Sequence, residues 1–327
     1  MLRNQVPDKI GIRCRILPEC AHCCAQVKAG LPAAAQGSPF GPRLHGLVLY
    51  MKTYHAVSYA RLERMLDEVF GIKVSQGGLA NMLKRSHHPF ELRKADIIKD
   101  LRKANVVASD ETGIRIEGLN GYHWVFMSAS AVVHEAQLSR AAQVVRDIMS
   151  KHRPEIWLSD GYSAQQGHGK YHQTCLAHLA RDVAYGVEAS DCLVPFRLKL
   201  WLDKAFQLAR NITSYAASTI KAKKRELENT FSCILAAPTE CQIAQTIRAK
   251  MARAGPRLLT FVDYPGEVEV TNNGCERALR PAVIQRKVTN GFRSMWAAKG
   301  DCAVRTVVDT RKLSGISPFQ TISQTLA

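Results

Sequence analysis

No run of about 18 apolar residues occurs in the chain, and its start lacks the basic-then-apolar layout of an export signal. Neither a membrane-spanning helix nor secretion is therefore expected. Acids are scarce: 28 Asp and Glu stand against 45 Lys and Arg, a net charge of +17 over 327 residues. That imbalance suits a polyanionic partner, because each cation near a phosphate releases condensed counterions. On charge alone, an anionic membrane surface and a merely solvated basic surface stay open. A regular cysteine framework is missing as well. The ten cysteines are scattered, which argues against a small stapled scaffold and for a reducing, cytoplasmic setting with most thiols buried. Apolar residues, by contrast, make up 46% of the chain. That excludes wholesale disorder, and the length allows about two domains.

The most informative stretch is Val106-Val-Ala-Ser-Asp110-Glu111-Thr-Gly113. A short apolar run ends in two acids with no helical stripe after it, as when a buried strand delivers a carboxylate to the rim of a sheet. The pattern returns in Ile156-Trp-Leu-Ser159-Asp160-Gly161. In open α/β sheets the carboxyl ends of strands are where chemistry gathers. Gly121 to Ser128 and Ala131 to Leu138 read as two further strands, with Asn120-Gly121 among the turning residues, and a helix near Ala141 to Lys151 precedes the second acid. Three consecutive strands, a helix and a further strand open a ribonuclease H-like mixed sheet, in which the first and fourth strands are neighbours. Asp110 and Asp160 would then face each other.

Before this sheet, Cys20-Ala-His-Cys23 could be half of a tetrahedral zinc site, but no second pair follows at ribbon spacing. Gly30 to Pro42 reads as linker. The residues from Gly46 to Arg85 form a helical pair in which Gly71 stops one helix and Ser75 caps a second short one. This layout fits a helix-turn-helix, with Arg61, Arg64, Lys73, Lys84 and Arg85 available to phosphates; from spacing alone an ordinary helical hairpin is the commoner outcome. After Asp160, His172, Cys175 and His178 are three apart and would share a helix face, either binding metal or simply packing. Residues 192–262 read as helical. Thr271-Asn-Asn-Gly-Cys-Glu276-Arg277-Ala-Leu-Arg280-Pro281 starts with capping residues and ends at proline. Glu276 is either a third site acid or a salt-bridge partner of Arg280. Arg286-Lys287 and Gly291-Phe-Arg293-Ser294 read as a basic turn, and a last helix from about Ala303 to Leu313 precedes a loose tail.

Two aspartates and a glutamate suit a two-metal site, in which hard cations activate the attacking oxygen and stabilise the leaving one. The motifs, taken together, resemble bacterial transposases of the insertion sequence sixty-six family. The resemblance rests on Asp110-Glu-Thr-Gly-Ile-Arg115 with Trp124, Ser159-Asp-Gly-Tyr162, and Cys175-Leu-Ala-His178-Leu-Ala-Arg181-Asp182. It also rests on Thr271-Asn-Asn273 with Glu276-Arg-Ala-Leu-Arg-Pro281, Arg286-Lys287 and Gly291 to Ser294. It implies a DDE enzyme with Asp110, Asp160 and Glu276 as the catalytic, magnesium-binding triad, two ions, manganese as a substitute. It further implies a helical insertion before Glu276 and a zinc-knuckle remnant at Cys20 and Cys23. The expected organisation is a cysteine segment and linker at 1–42, a helix-turn-helix-like region at 43–98, a catalytic domain at 99–190 and 267–327, and an insertion at 191–266. Element-end and target DNA are the expected partners, held by Arg277, Arg280, Arg286, Lys287 and Arg293 and by Lys84 and Arg85. A homo-oligomer on DNA, accessory proteins of the same element, and a cytoplasmic, nucleoid-associated location complete the expectation. The alternative is a DNA-binding regulator or a catalytically idle remnant.

Overall fold

Serine and glycine punctuate the first helices. The computed structural model describes residues 40–327, so the Cys20/Cys23 pair lies outside the described residues. Helix α1 (Pro42–Leu49) opens with proline in its first turn and runs into a π turn, Tyr50–Tyr54. Ser58 accepts a hydrogen bond from the Arg61 N–H to start α2 (Tyr59–Phe70), and Gly71, at φ 63°, ends it. Ser75 caps α3 (Gln76–Leu101) in the same way.

The second helix is not short. It runs 26 residues, straight through Pro89. Both of its ends are buried: Leu79, Met82 and Leu83 pack among the N- and C-terminal helices, while Leu101 joins the core of the sheet. Burial at each end offsets a proline cost of about 3 kcal/mol.

The described residues form a mixed α/β fold built on one five-stranded sheet. β1 (Val106–Ile116), β2 (Leu119–Met127) and β3 (Val132–Gln137) form an antiparallel meander. β4 (Ile156–Ser159) then pairs in parallel with β1, and β5 (Tyr171–Thr174) with β4. The order is β3-β2-β1-β4-β5. The turn between β1 and β2 is Glu117-Gly118, both at positive φ, rather than Asn120-Gly121, which lie inside β2. Nor does β1 end at its acids: it continues for six residues beyond Asp110, because β2 still pairs with it there. The parallel pairing stops earlier, at Ala108 and Leu158. Asp110 and Asp160 each lie two residues past that stop.

Strand alternation puts the two faces of the sheet against different helices. On one face α4 (Ala142–Met149) covers Val107, Trp124, Phe126 and Trp157. On the other, Cys275 and Leu279 of α10 (Asn273–Thr289) pack on Val125 and Val132, and Ala298 and Cys302 of α11 (Met295–Leu313) pack on Ile114, Ile116 and Ala136. Between β5 and α10 lie α5 (Leu176–Glu188), α6 (Leu193–Asn211), α7 (Ala217–Ala236), α8 (Gln242–Ala254) and α9 (Thr260–Asp263). They share a second core centred on Leu198, Trp201, Leu202 and Met251.

Four expectations for the last fifth of the chain need correcting. Helix α10 does not end at Pro281 but continues to Thr289, held by its buried stripe of Cys275, Leu279, Ala282 and Gln285. Arg286 and Lys287 are therefore its last turn, not part of a loop. The next helix starts at Met295, and the tail is helix α12 (Pro318–Leu326), capped by Ser317. Buried Ile322 docks it into the N-terminal helical core.

Candidate catalytic site

Two of the three candidate acids flank the β1–β4 seam, and their own backbones orient them. Asp110 Oδ1 accepts the Glu111 N–H at 2.9 Å, and Asp160 Oδ1 accepts the Tyr162 N–H at 2.9 Å. Gln166 Nε2 donates to the carbonyls of Asp160 and Tyr162, which fixes the loop behind the second acid. The third acid arrives on α10. The Asn272 side chain, expected as a helix cap, instead donates to the Ser109 carbonyl at 2.8 Å, while its backbone N–H donates to Cys175 Sγ at 3.1 Å. The helix start is thus tied to β1 next to Asp110, and to the residue just before α5. Glu276 falls in the first turn, where the helix dipole favours a negative charge.

The acids sense one another. The Asp110 carboxyl is pushed up to about 7, chiefly by burial, against the opposing pull of the Glu111 N–H. The charges of Glu111, Asp160 and Glu276 add to the rise. Glu111, next in sequence, points to the opposite face of the strand. There Arg140 grips its Oε1 through Nε at 2.8 Å and Nη2 at 2.7 Å, and Gln165 Nε2 donates to its Oε2 at 2.6 Å. The Arg140 guanidinium also lies 3.8 Å over the Tyr162 ring. This brace joins β1 to the Asp160 loop. It is absent from the sequence reading, although period-two alternation alone separates neighbours Asp110 and Glu111.

Glu276 does not pair with Arg280. Its Oε1 lies 3.5 Å from Arg181 Nη2 and 3.7 Å from His178 Nε2, both on α5. Among the described residues no three His, Cys, Asp or Glu side chains stand close enough, as placed, to hold a metal ion. In donor chemistry the three carboxylates do fit a hard divalent cation, whose charge would relieve the crowding around Asp110. As placed, Glu276 is engaged by α5, and a cation would have to compete with that contact. Arg181→Ala is accordingly expected to tighten manganese binding about two- to fivefold, the scale of one exposed ion pair. Titration followed by electron paramagnetic resonance measures it, and unchanged or weaker binding would contradict it.

His172, Cys175 and His178 do not share a helix face. His172 is on β5, pushed down to about 4 by burial and by Arg257, Cys175 precedes α5, and only His178 is helical. A backbone turn at Cys175 breaks the spacing. Of the basic candidates, Arg277, Arg280 and Lys287 line the outward face of α10, exposed and with no acidic partner among the described residues. Arg286 is engaged differently: its guanidinium donates to the Gly113 carbonyl and clamps α10 to β1. Arg293 is exposed in the loop before α11, and Lys84 and Arg85 are exposed on α3.

A model of the transposase IS66 family matches residues 37–300, most of the chain and every acid described above. The chain belongs to that family. Transposase IS66 membership supports a DNA-acting transposase function and, in general terms, the use of divalent metal. Among curated proteins nothing matches the chain. No helix among the described residues is long and apolar enough to cross a membrane.

Proposed function

We propose that this transposase family member cuts phosphodiesters at the ends of an insertion element and joins the freed 3′ hydroxyl to target DNA, using Asp110, Asp160 and Glu276. The observation that carries the reading is the Asp110 carboxyl, raised by burial and by the charges of two acids drawn from distant parts of the chain. An antiparallel meander continued by two parallel strands, in the order β3-β2-β1-β4-β5, supports a ribonuclease H-like catalytic domain at 99–190 and 267–327. The Gly71 turn between α2 and α3 supports a helix-turn-helix-like region at 43–98. The helices of 191–266 are then the insertion.

Asp110, Asp160 and Glu276 would hold magnesium, or manganese in its place. When bound, such ions polarise the attacking oxygen and offset charge on the leaving one. The remaining tasks fall to the chain itself. The Tyr162 N–H and Gln166 hold Asp160 in orientation, and the Glu111–Arg140 brace keeps its loop against β1. Arg277, Arg280 and Lys287 offer unpaired cations to a DNA backbone running along α10 from the acids. Joining two element ends calls for more than one protomer, so a homo-oligomer on DNA, with accessory proteins of the element, belongs to the proposal.

Proton linkage gives this reading a pH signature. A carboxyl raised to about 7 is protonated below that pH and must lose its proton when a cation binds. Manganese affinity should therefore fall about tenfold per pH unit below 7 and level off above about 8. Calorimetry in two buffers of different ionisation enthalpy should show close to one proton released per site at pH 6. A flat profile would remove the support Asp110 gives.

A second reading, a DNA-binding regulator with an idle site, is favoured by the engagement of Glu276 with His178 and Arg181. A strand-transfer assay with magnesium and element-end DNA separates the two. Joining that disappears in Asp160→Ala supports the transposase; binding without cleavage, indifferent to that substitution, supports the regulator.

A further inference from the structure

Three of the four tryptophans, Trp124, Trp157 and Trp201, are sealed in the core, each at most 1% exposed. Trp296 keeps 38% of its surface, in the first turn of α11, and nothing in the catalytic reading uses it. A large indole left open to water forgoes a burial gain that its three counterparts obtain.

One cation stands over it, and others lie close to it in sequence. The Lys84 ammonium lies 5.7 Å from the centre of the ring, and the His87 imidazole lies 6.0 Å away at a 46° tilt. Arg293 and Lys299 flank it in sequence, and Arg85 follows Lys84 on α3; all three are exposed. None of these four Lys and Arg side chains has an acidic partner among the described residues. The seam beneath is tight, because a Cβ on Gly300 would run into the His87 imidazole. Trp296 therefore sits on a rigid junction where the α3 surface meets the loop that follows α10.

A flat aromatic face with a lysine over it and exposed cations close by in sequence has the chemistry of a nucleotide site: the base stacks on the ring and its phosphates meet the cations. Within a duplex both faces of each base are already covered, except for the outer face of a terminal pair. Away from such an end, the ring gains a stacking partner from a base that has left the helix. We propose that Trp296, with Lys84 and Arg293, is a stacking site for an unpaired DNA base beside the strand being processed. This rests on the reading of the chain as a DNA-acting transposase, and adds that it prefers DNA with an unpaired end. Lys84, now over the ring, would move to the phosphate flanking that base.

The test uses the full chain at one fixed salt concentration, with two DNAs of equal length and sequence: a blunt duplex and one with a short 3′ overhang. The overhang should quench tryptophan emission saturably, and the Trp296→Phe chain should lose that quench, since the other three indoles are buried. By anisotropy, Trp296→Ala should weaken overhang binding roughly 5- to 150-fold and blunt-duplex binding less than about twofold. Trp296→Phe, which keeps a stacking face and guards against misfolding, should fall between. An equal loss on both DNAs, or binding of the overhang with no quench, would overturn the stacking site while leaving DNA binding intact. If the wild-type chain bound neither DNA, the DNA-acting reading would fall along with it.

Discussion

Asp110→Asn is expected to slow magnesium-dependent strand cleavage by about a thousandfold or more, because a bound cation supplies several kcal/mol of transition-state stabilisation and this change removes a charged ligand. Asparagine keeps the size of the side chain and an oxygen that can accept the Glu111 N–H, so the local backbone has no reason to move. It also removes one negative charge from a place where Asp160, Glu276 and Glu111 already repel it. The variant should therefore melt no lower than the parent at pH 8 without metal. Cleavage of labelled end DNA and a thermal melt check the two halves. A retained rate would mean that the acids crowd together for some other reason.

Arg305→Ala should cost about 3–5 kcal/mol of unfolding free energy, the range for removing one partner of a buried ion pair. Arg305 is 1% exposed and donates through Nε to Asp301 at 2.7 Å. One Nη reaches the Thr53 carbonyl at 2.7 Å and Gln285 Oε1 at 2.6 Å. A single guanidinium thus ties α11 to α10 and to the π turn after α1. Truncation strands the Asp301 carboxylate in the core, where only 4% of that residue reaches the surface. Arg305→Ala with Asp301→Ala should recover part of the loss, since the orphaned charge goes too. Urea melts of the single and double variants measure both effects. A single-variant loss below 1 kcal/mol would show the pair to be dispensable.

Much of the framework around the candidate site was legible because its signals are local. The Val106 to Asp110 run, the second run ending at Asp160, and the Gly71 and Ser75 punctuation each depend on neighbours in sequence. What was hidden depends on partners far away. Pro281 looks like a helix end until the burial on both sides of it is known, and the helix after Ser75 looks short until its far end is seen buried at Leu101. Asn272 looks like a cap until Ser109, from another element, offers a carbonyl. Strand β1 appears to stop at its acids because the sequence does not reveal that β2 reaches that far. The ion pair from Arg181 to Glu276 spans 95 positions, so a nearer partner, Arg280, looked more natural. Arg140 was invisible for the same reason.

Because Asn272 is fastened on both sides, the segment bearing Glu276 has little freedom to travel. A glutamate so mounted can change partners only by turning about its own χ bonds, hopping between staggered wells. Such hops take picoseconds to nanoseconds at exposed positions, whereas hinge closures take microseconds or longer. If Glu276 serves the proposed site, swapping the guanidinium of α5 for a cation would be a fast pre-equilibrium, and the slow event of a turnover would lie elsewhere, in bringing two DNA ends together or in the chemistry at phosphorus.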